Sequence, residues 1–171
     1  MIVYHETNPG MLESILAEGL RRTTHGEKGS DAAIIKTDHL LDANLPEELR
    51  RCGVGRDNSV YGYLTVGHNV IDIQDGALIP LSRKARDPHY VLLQMDVMPE
   101  RCYVSNLDLY DTIKSAVDQN EAPHALDEIA LLYWDSLVRL DSYEPGQIIR
   151  PEVMIAYDVQ PECIKSVSTH G

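Results

Sequence analysis

Three widely separated side chains carry the chemistry that this chain offers. They are His5 in Val3-Tyr4-His5-Glu6-Thr7, Tyr61 in Ser59-Val60-Tyr61-Gly62-Tyr63-Leu64, and Glu152 in Arg150-Pro151-Glu152-Val153-Met154-Ile155. Each lies in or beside a short strand-like run. An imidazole can hold a sugar hydroxyl. The face of a phenol ring attracts a planar cation. A carboxylate fixed near a sugar gains strength as positive charge develops there, which accelerates cleavage of a glycosidic bond. Together the three make a set for gripping a glycoside whose attached ring is cationic and breaking its glycosidic bond. Each also has a plainer role open to it: His5 as a structural histidine, Tyr61 and Tyr63 as core rings, and Glu152 as a solvated strand edge.

The elements that must position these residues can be read from punctuation and period. Residues 2–5 form a strand in which His5 and Val3 share one face. Asn8-Pro9-Gly10 breaks it, with Asn8 as an N-cap and Pro9 at the first helical position. Met11, Leu12, Ile15, Leu16 and Leu20 then recur at helical spacing, closed by Gly19. Residues 22–58 read as loop-rich, with a short helix near 46–51. Residues 59–66 are β-rich, and 69–73 form a short strand or a helix start. Tyr61 and Tyr63 have the same parity, so both are expected on one strand face, with Gly62 between them allowing close approach. Tyr90 to Val97 reads as a strand buried on both faces, and Arg101 to Val104 as another. The period then changes: 107–118 and 126–138 read as helices separated by Asn120-Glu121-Ala122-Pro123. Val153 to Val159 and Lys165 to Val167 complete the strands. The fold class is α+β, as one domain over 1–171 with a helical segment at about 107–138.

Composition narrows the function. The formal net charge of -12 disfavours nucleic acid and anionic membrane surfaces. Nine Tyr, one Trp and no Phe make tyrosine the chief source of rings, so polar hydroxyls are expected inside the core. Cys52, Cys102 and Cys163 are far apart, which suggests a reducing compartment without disulfides. With no apolar run approaching a bilayer span and no leader-like start, the expected location is cytoplasmic. The scattered histidines lack zinc spacing, so no metal site is expected. Gly53-Val54-Gly55 lacks the rest of a nucleotide-binding glycine motif.

The opening Val3-Tyr4-His5-Glu6-Thr7, the run Leu12-Glu13-Ser14-Ile15-Leu16-Ala17-Glu18-Gly19-Leu20 and the later Glu152-Val153-Met154-Ile155 resemble the ADP-ribosyltransferase superfamily. The similarity is to the His-Tyr-Glu branch of diphtheria toxin and the poly(ADP-ribose) polymerases. It covers roughly 1–24, 58–66, 88–104 and 143–169; the helical stretch 107–138 has no counterpart. The resemblance implies a split, bent β core with peripheral helices and NAD, as substrate, in the cleft. It implies that His5 bonds the ribose, supported by Thr7, and that the Glu6 backbone holds the nicotinamide carboxamide. It further implies that Tyr61 stacks on nicotinamide and that Glu152 stabilises the oxocarbenium-like transition state.

The chain departs from the pattern in three places. Asp72 stands where a second stacking tyrosine often lies, and Tyr63 is the substitute. Arg150 replaces the Gln or Glu of arginine-modifying transferases, leaving Glu144 and Gln147 as acceptor contacts. Glu6 is bulkier than the Gly often found there. For the pyrophosphate, Arg21, Arg22 and Lys28 are the first cations to consider, then Arg50, Arg51 and Arg56, although the favoured plain reading of either group is a solvated surface charge.

The expected activity is therefore NAD-dependent ADP-ribosyl transfer by Glu152, His5 and Tyr61, with His5, Glu6, Thr7, Tyr61, Tyr63, Arg21 and Arg22 binding NAD. The acceptor is open among protein, nucleic acid, small molecule and water. Two alternatives stand beside it: an RNA 2′-phosphotransferase-like enzyme using NAD, and an inactive scaffold that binds ADP-ribose or a protein.

Overall fold

In the computed structural model, residues 1–23, 32–66, 69–71, 78–80 and 91–167 are described, the side chains of 65–80 excepted. Helices and antiparallel sheets make an α+β protein. Among the described residues there are three sheets, ordered β1-β6-β10, β2-β9-β7-β8 and β3-β4-β5. The strands of the first are β1 (Ile2–Thr7), β6 (Val91–Asp96) and β10 (Ile164–Ser166). The second holds β2 (Val60–Gly62), β7 (Cys102–Asn106), β8 (Val138–Arg139) and β9 (Pro151–Ile155). The third holds β3 (Thr65–Val66), β4 (Asn69–Ile71) and β5 (Leu78–Pro80).

The first two sheets meet at one rung. The Tyr4 N–H donates to the Tyr63 carbonyl at 2.9 Å, and the Tyr63 N–H returns a bond to Tyr4 at 2.7 Å. Gly62 permits this approach: a Cβ there would meet Val3 Cγ1 at 2.4 Å and the Tyr4 carbonyl at 2.9 Å. One apolar core, with Val3, Leu93, Met95, Val104, Val153 and Ile155, spans both sheets.

The helices are α1 (Leu12–Glu18), α2 (Ala32–Ala43), α3 (Glu47–Arg51), α4 (Leu107–Asp118) and α5 (Pro123–Asp135). The expected break before α1 is present: Asn8 Oδ1 accepts the Gly10 N–H at 2.8 Å over a 3-10 turn. Gly19 caps α1 at φ 85°. It lies against the Leu20–Val159 rung, where a Cβ would sit 2.3 Å from the Val159 carbonyl. Asn106 ends β7 and caps α4 by accepting the Asp108 N–H at 2.9 Å.

Several element boundaries correct the sequence reading. Within 22–58, read as loop-rich, α2 forms a full helix. Its buried positions are Thr37, Asp38 and Leu41, so buried polar residues interrupt the apolar period that would reveal it. The second helix of the 107–138 region begins at Pro123, not 126, because proline suits the first helical position. The last long strand runs Pro151–Ile155 and does not continue to Val159, which pairs instead with Leu20.

The helices α2, α4 and α5 cover one face of the second sheet with Leu41, Tyr110, Ile113, Ala130, Tyr133 and Trp134, and Met154 points into them. Every residue of β9 is buried. Alternation along β9 sends Val153 and Ile155 into the inter-sheet core and Glu152, with Met154, toward the helices. Among the described residues, no helix is long and apolar enough to cross a membrane.

Candidate functional site

Glu152, Tyr61 and His5 all line one cleft of about 470 Å³, with Asp38, Arg56 and Tyr110 among its other walls. Register explains the convergence. Tyr61 pairs with Met154, and Ser105 stands opposite Glu152, so these side chains share the helix-facing side of the second sheet. His5 comes from the first sheet, on β1 opposite Leu93. Its Nδ1 lies 2.7 Å from the Tyr61 carbonyl. A carbonyl only accepts, so Nδ1 carries the proton.

The centre of the site is Arg56, 5 % exposed. Its Nη1 donates to Glu152 Oε2 at 2.6 Å and to the Tyr133 hydroxyl at 3.0 Å. Its Nε donates to Asp38 at 3.3 Å. The guanidinium also lies between two rings, 4.5 Å from the Tyr61 centroid and 4.2 Å from that of Tyr110. The Tyr61 hydroxyl donates back to the Arg56 carbonyl. Burial works against the Arg56 charge, but Tyr133, Tyr61, Glu152 and Asp38 together raise its pKa well above the ordinary arginine value. Burial likewise pushes the Tyr61 hydroxyl well above the usual tyrosine range, with Arg56 opposing.

The hydrogen bonds of the Glu152 carboxylate fall on one oxygen. Oε2 takes Arg56 and, at 3.5 Å, the Ser105 hydroxyl. No hydrogen bond to Oε1 is formed among the described residues. Two carboxylates, Asp38 and Glu152, share one guanidinium, so the trio keeps a net negative charge. That arrangement can hold a sugar hydroxyl and face a developing cation from a fixed direction.

The other expected binding residues divide. Arg21 lines the cleft and is exposed, 3.6 Å from Glu18. The Glu6 backbone lies on the β1 edge that Tyr4 presents to Tyr63, since alternate residues of an antiparallel strand share an edge. Thr7 is buried and, like Glu6, is not among the cleft-lining residues. Tyr63 does not line the cleft with Tyr61, because the chain leaves the second sheet after Gly62 to form the rung with Tyr4. Arg22 turns away, donating to the Gly53 carbonyl at 3.2 Å and lying 3.7 Å from Asp158. Arg50 and Arg51 pair with Glu47 on α3. Arg150 is tied to α4 through Asp108 at 2.9 Å and Asp111 at 2.7 Å. Glu144 and Gln147 bond each other outside the cleft. Lys28 and Asp72 lie outside the described residues.

Sequence reasoning ranked Arg56 behind Arg21 and Arg22 and gave Asp38 and Tyr110 no role. Tyr110 lies on the buried face of α4 beside Leu107 and Ile113. A tyrosine on an apolar stripe must find its hydroxyl a partner, and that is the signal that pointed inward. Scans against protein-family models and searches of curated proteins and solved structures find no match to this chain.

Proposed function

We propose that the protein is an NAD-dependent ADP-ribosyltransferase, which cleaves the nicotinamide glycosidic bond of NAD and passes ADP-ribose to an acceptor. The observation that carries this reading is the meeting of His5, Tyr61 and Glu152, from three distant segments, around one cleft. Nicotinamide leaves as a neutral ring, and its positive charge passes to the ribose. Glu152, anchored through Oε2, presents Oε1 to the 2′-hydroxyl and to that charge. Its attraction grows toward the transition state, which is what raises turnover. His5 lines the same cleft and bonds the ribose. Arg56 lies over the Tyr61 ring, so the ring on which nicotinamide stacks is held by a cation.

The Arg56 contacts also favour a second reading, a scaffold that binds ADP-ribose without turnover, because Glu152 is already half-neutralised. The phosphotransferase alternative needs several cations for a phosphorylated RNA end. Among the described residues the cleft offers Arg21 and Arg56, and Arg56 is bound to carboxylates.

Nicotinamide release and NAD calorimetry on the wild type and Glu152→Gln separate these readings. Transfer predicts release that falls about 100-fold or more in the variant, with NAD affinity changed much less. Binding without release selects the scaffold. No binding at millimolar NAD overturns both.

A further inference from the structure

Arg56 is gripped at both ends by one helix. Asp38 takes its guanidinium at 3.3 Å. Asp42 takes its backbone: Oδ1 accepts the Arg56 N–H at 2.7 Å, and Oδ2 accepts the Asp57 N–H at 3.0 Å. The two aspartates are four residues apart on α2, which places them one turn apart on the same face. The helix itself is fixed. Leu41 is fully buried, and its carbonyl accepts the Trp134 indole N–H at 2.7 Å.

The gripped segment joins α3 to β2 without regular structure, so its own backbone ladder does not fix it. Both oxygens of a single carboxylate are spent on consecutive N–H groups there. That sets the direction of the chain at the residue whose side chain reaches Glu152. Gly55 fits beneath the carboxylate: a Cβ would lie 3.6 and 3.7 Å from the two Asp42 oxygens and 3.1 Å from Asn58 Oδ1. Asp42 does not line the cleft.

The geometry points to Asp42 as a positioning residue that acts on Glu152 through Arg56 without touching substrate. This rests on the ADP-ribosyl transfer reading. The chain of contacts runs from the Asp42 carboxylate to the Arg56 backbone, along its side chain to Glu152 Oε2, and so to the aim of Oε1. A misplacement of about 1 Å at the end of such a chain costs on the order of 100-fold in rate.

The test is Asp42→Asn, which keeps the shape but sets an NH2 against a backbone N–H. Turnover of NAD to nicotinamide should fall about 10- to 100-fold in kcat, with the dissociation constant of NAD within about twofold. The nitrogen-15 resonance of Arg56 Nε, assigned by its loss in Arg56→Lys, gives a readout independent of activity. Lying between two rings, it should be displaced and slow to exchange in the wild type, and move toward the free-arginine position in the variant. Asp42→Glu keeps the charge but shifts both bonds, and should move kcat and resonance the same way if the asparagine variant fails to fold. An unmoved resonance with unchanged kcat in a folded variant overturns the positioning role. A moved resonance in a protein whose wild type releases no nicotinamide sinks the transfer reading and leaves the grip on Arg56 standing.

Discussion

Replacing Arg56 by methionine should be among the most damaging single changes in this protein. The guanidinium lies 2.6 Å from Glu152 and 3.3 Å from Asp38, with side chains 5 %, 11 % and 1 % exposed respectively. Methionine fills much of the volume but takes away the cation that the Glu152 and Asp38 carboxylates share. Breaking a buried pair by removing one partner costs about 3–5 kcal/mol. The lost stacking on Tyr61 and Tyr110 adds about 1 kcal/mol. For a chain of this length, that lowers Tm by on the order of 10 °C.

The signature that separates this from ordinary packing loss is rescue by neutral replacements of the two carboxylates. Adding Asp38→Asn and Glu152→Gln to Arg56→Met should recover most of the loss at pH 7. Urea denaturation of both variants at pH 7 measures this. A deficit below about 1 kcal/mol at pH 7, far under the cost of stranding a buried charge, would refute the electrostatic account. So would a larger deficit that the triple variant does not recover.

Two further predictions concern stability. Gly19→Ala places a methyl group 2.3 Å from the Val159 carbonyl at a φ of +85°, so it should cost at least about 2 kcal/mol by denaturant titration; a neutral effect would show that the Leu20–Val159 rung is dispensable. Burial pushes Cys102 up from 9.0 to about 12 and Tyr133 up from 10.0 to about 12. The folded state then keeps protons that the unfolded state sheds, so stability should fall as pH rises from about 9 toward 12. The Tyr133 share is about 3 kcal/mol once both states are titrated; a Tyr133→Phe protein with an unchanged alkaline slope would contradict it.

Much of the site was readable where glycine, proline and strand parity fixed the chain. Asn8-Pro9-Gly10, Gly19 and Pro151 mark element ends that the structure keeps. What could not be read is where parity and period fail. Tyr63 was expected beside Tyr61, but strand alternation holds only while the chain stays in one sheet, and it changes sheets after Gly62. Helix α2 was hidden because Thr37 and Asp38 face inward, and Thr37 satisfies itself on the Ala33 carbonyl at 2.8 Å. Arg56 looked like any loop arginine. Its burial is created by Asp38, Tyr110, Tyr133 and Glu152 arriving from four elements, and no local spacing encodes that meeting. The expectation of polar atoms inside a tyrosine-rich core does describe Tyr133, which is fully buried with its hydroxyl accepting from Arg56.

Gly62 has a bearing on the span of the cleft. The imidazole of His5 hangs from one sheet and the carboxylate of Glu152 from the other, and the Tyr4–Tyr63 rung beside Gly62 is one of the links between them, with the His5–Tyr61 bond another. The spacing of carboxylate and imidazole therefore depends in part on the absence of a side chain at position 62. Any larger group there acts as a shim, driving the jaws apart before it disturbs either of them directly.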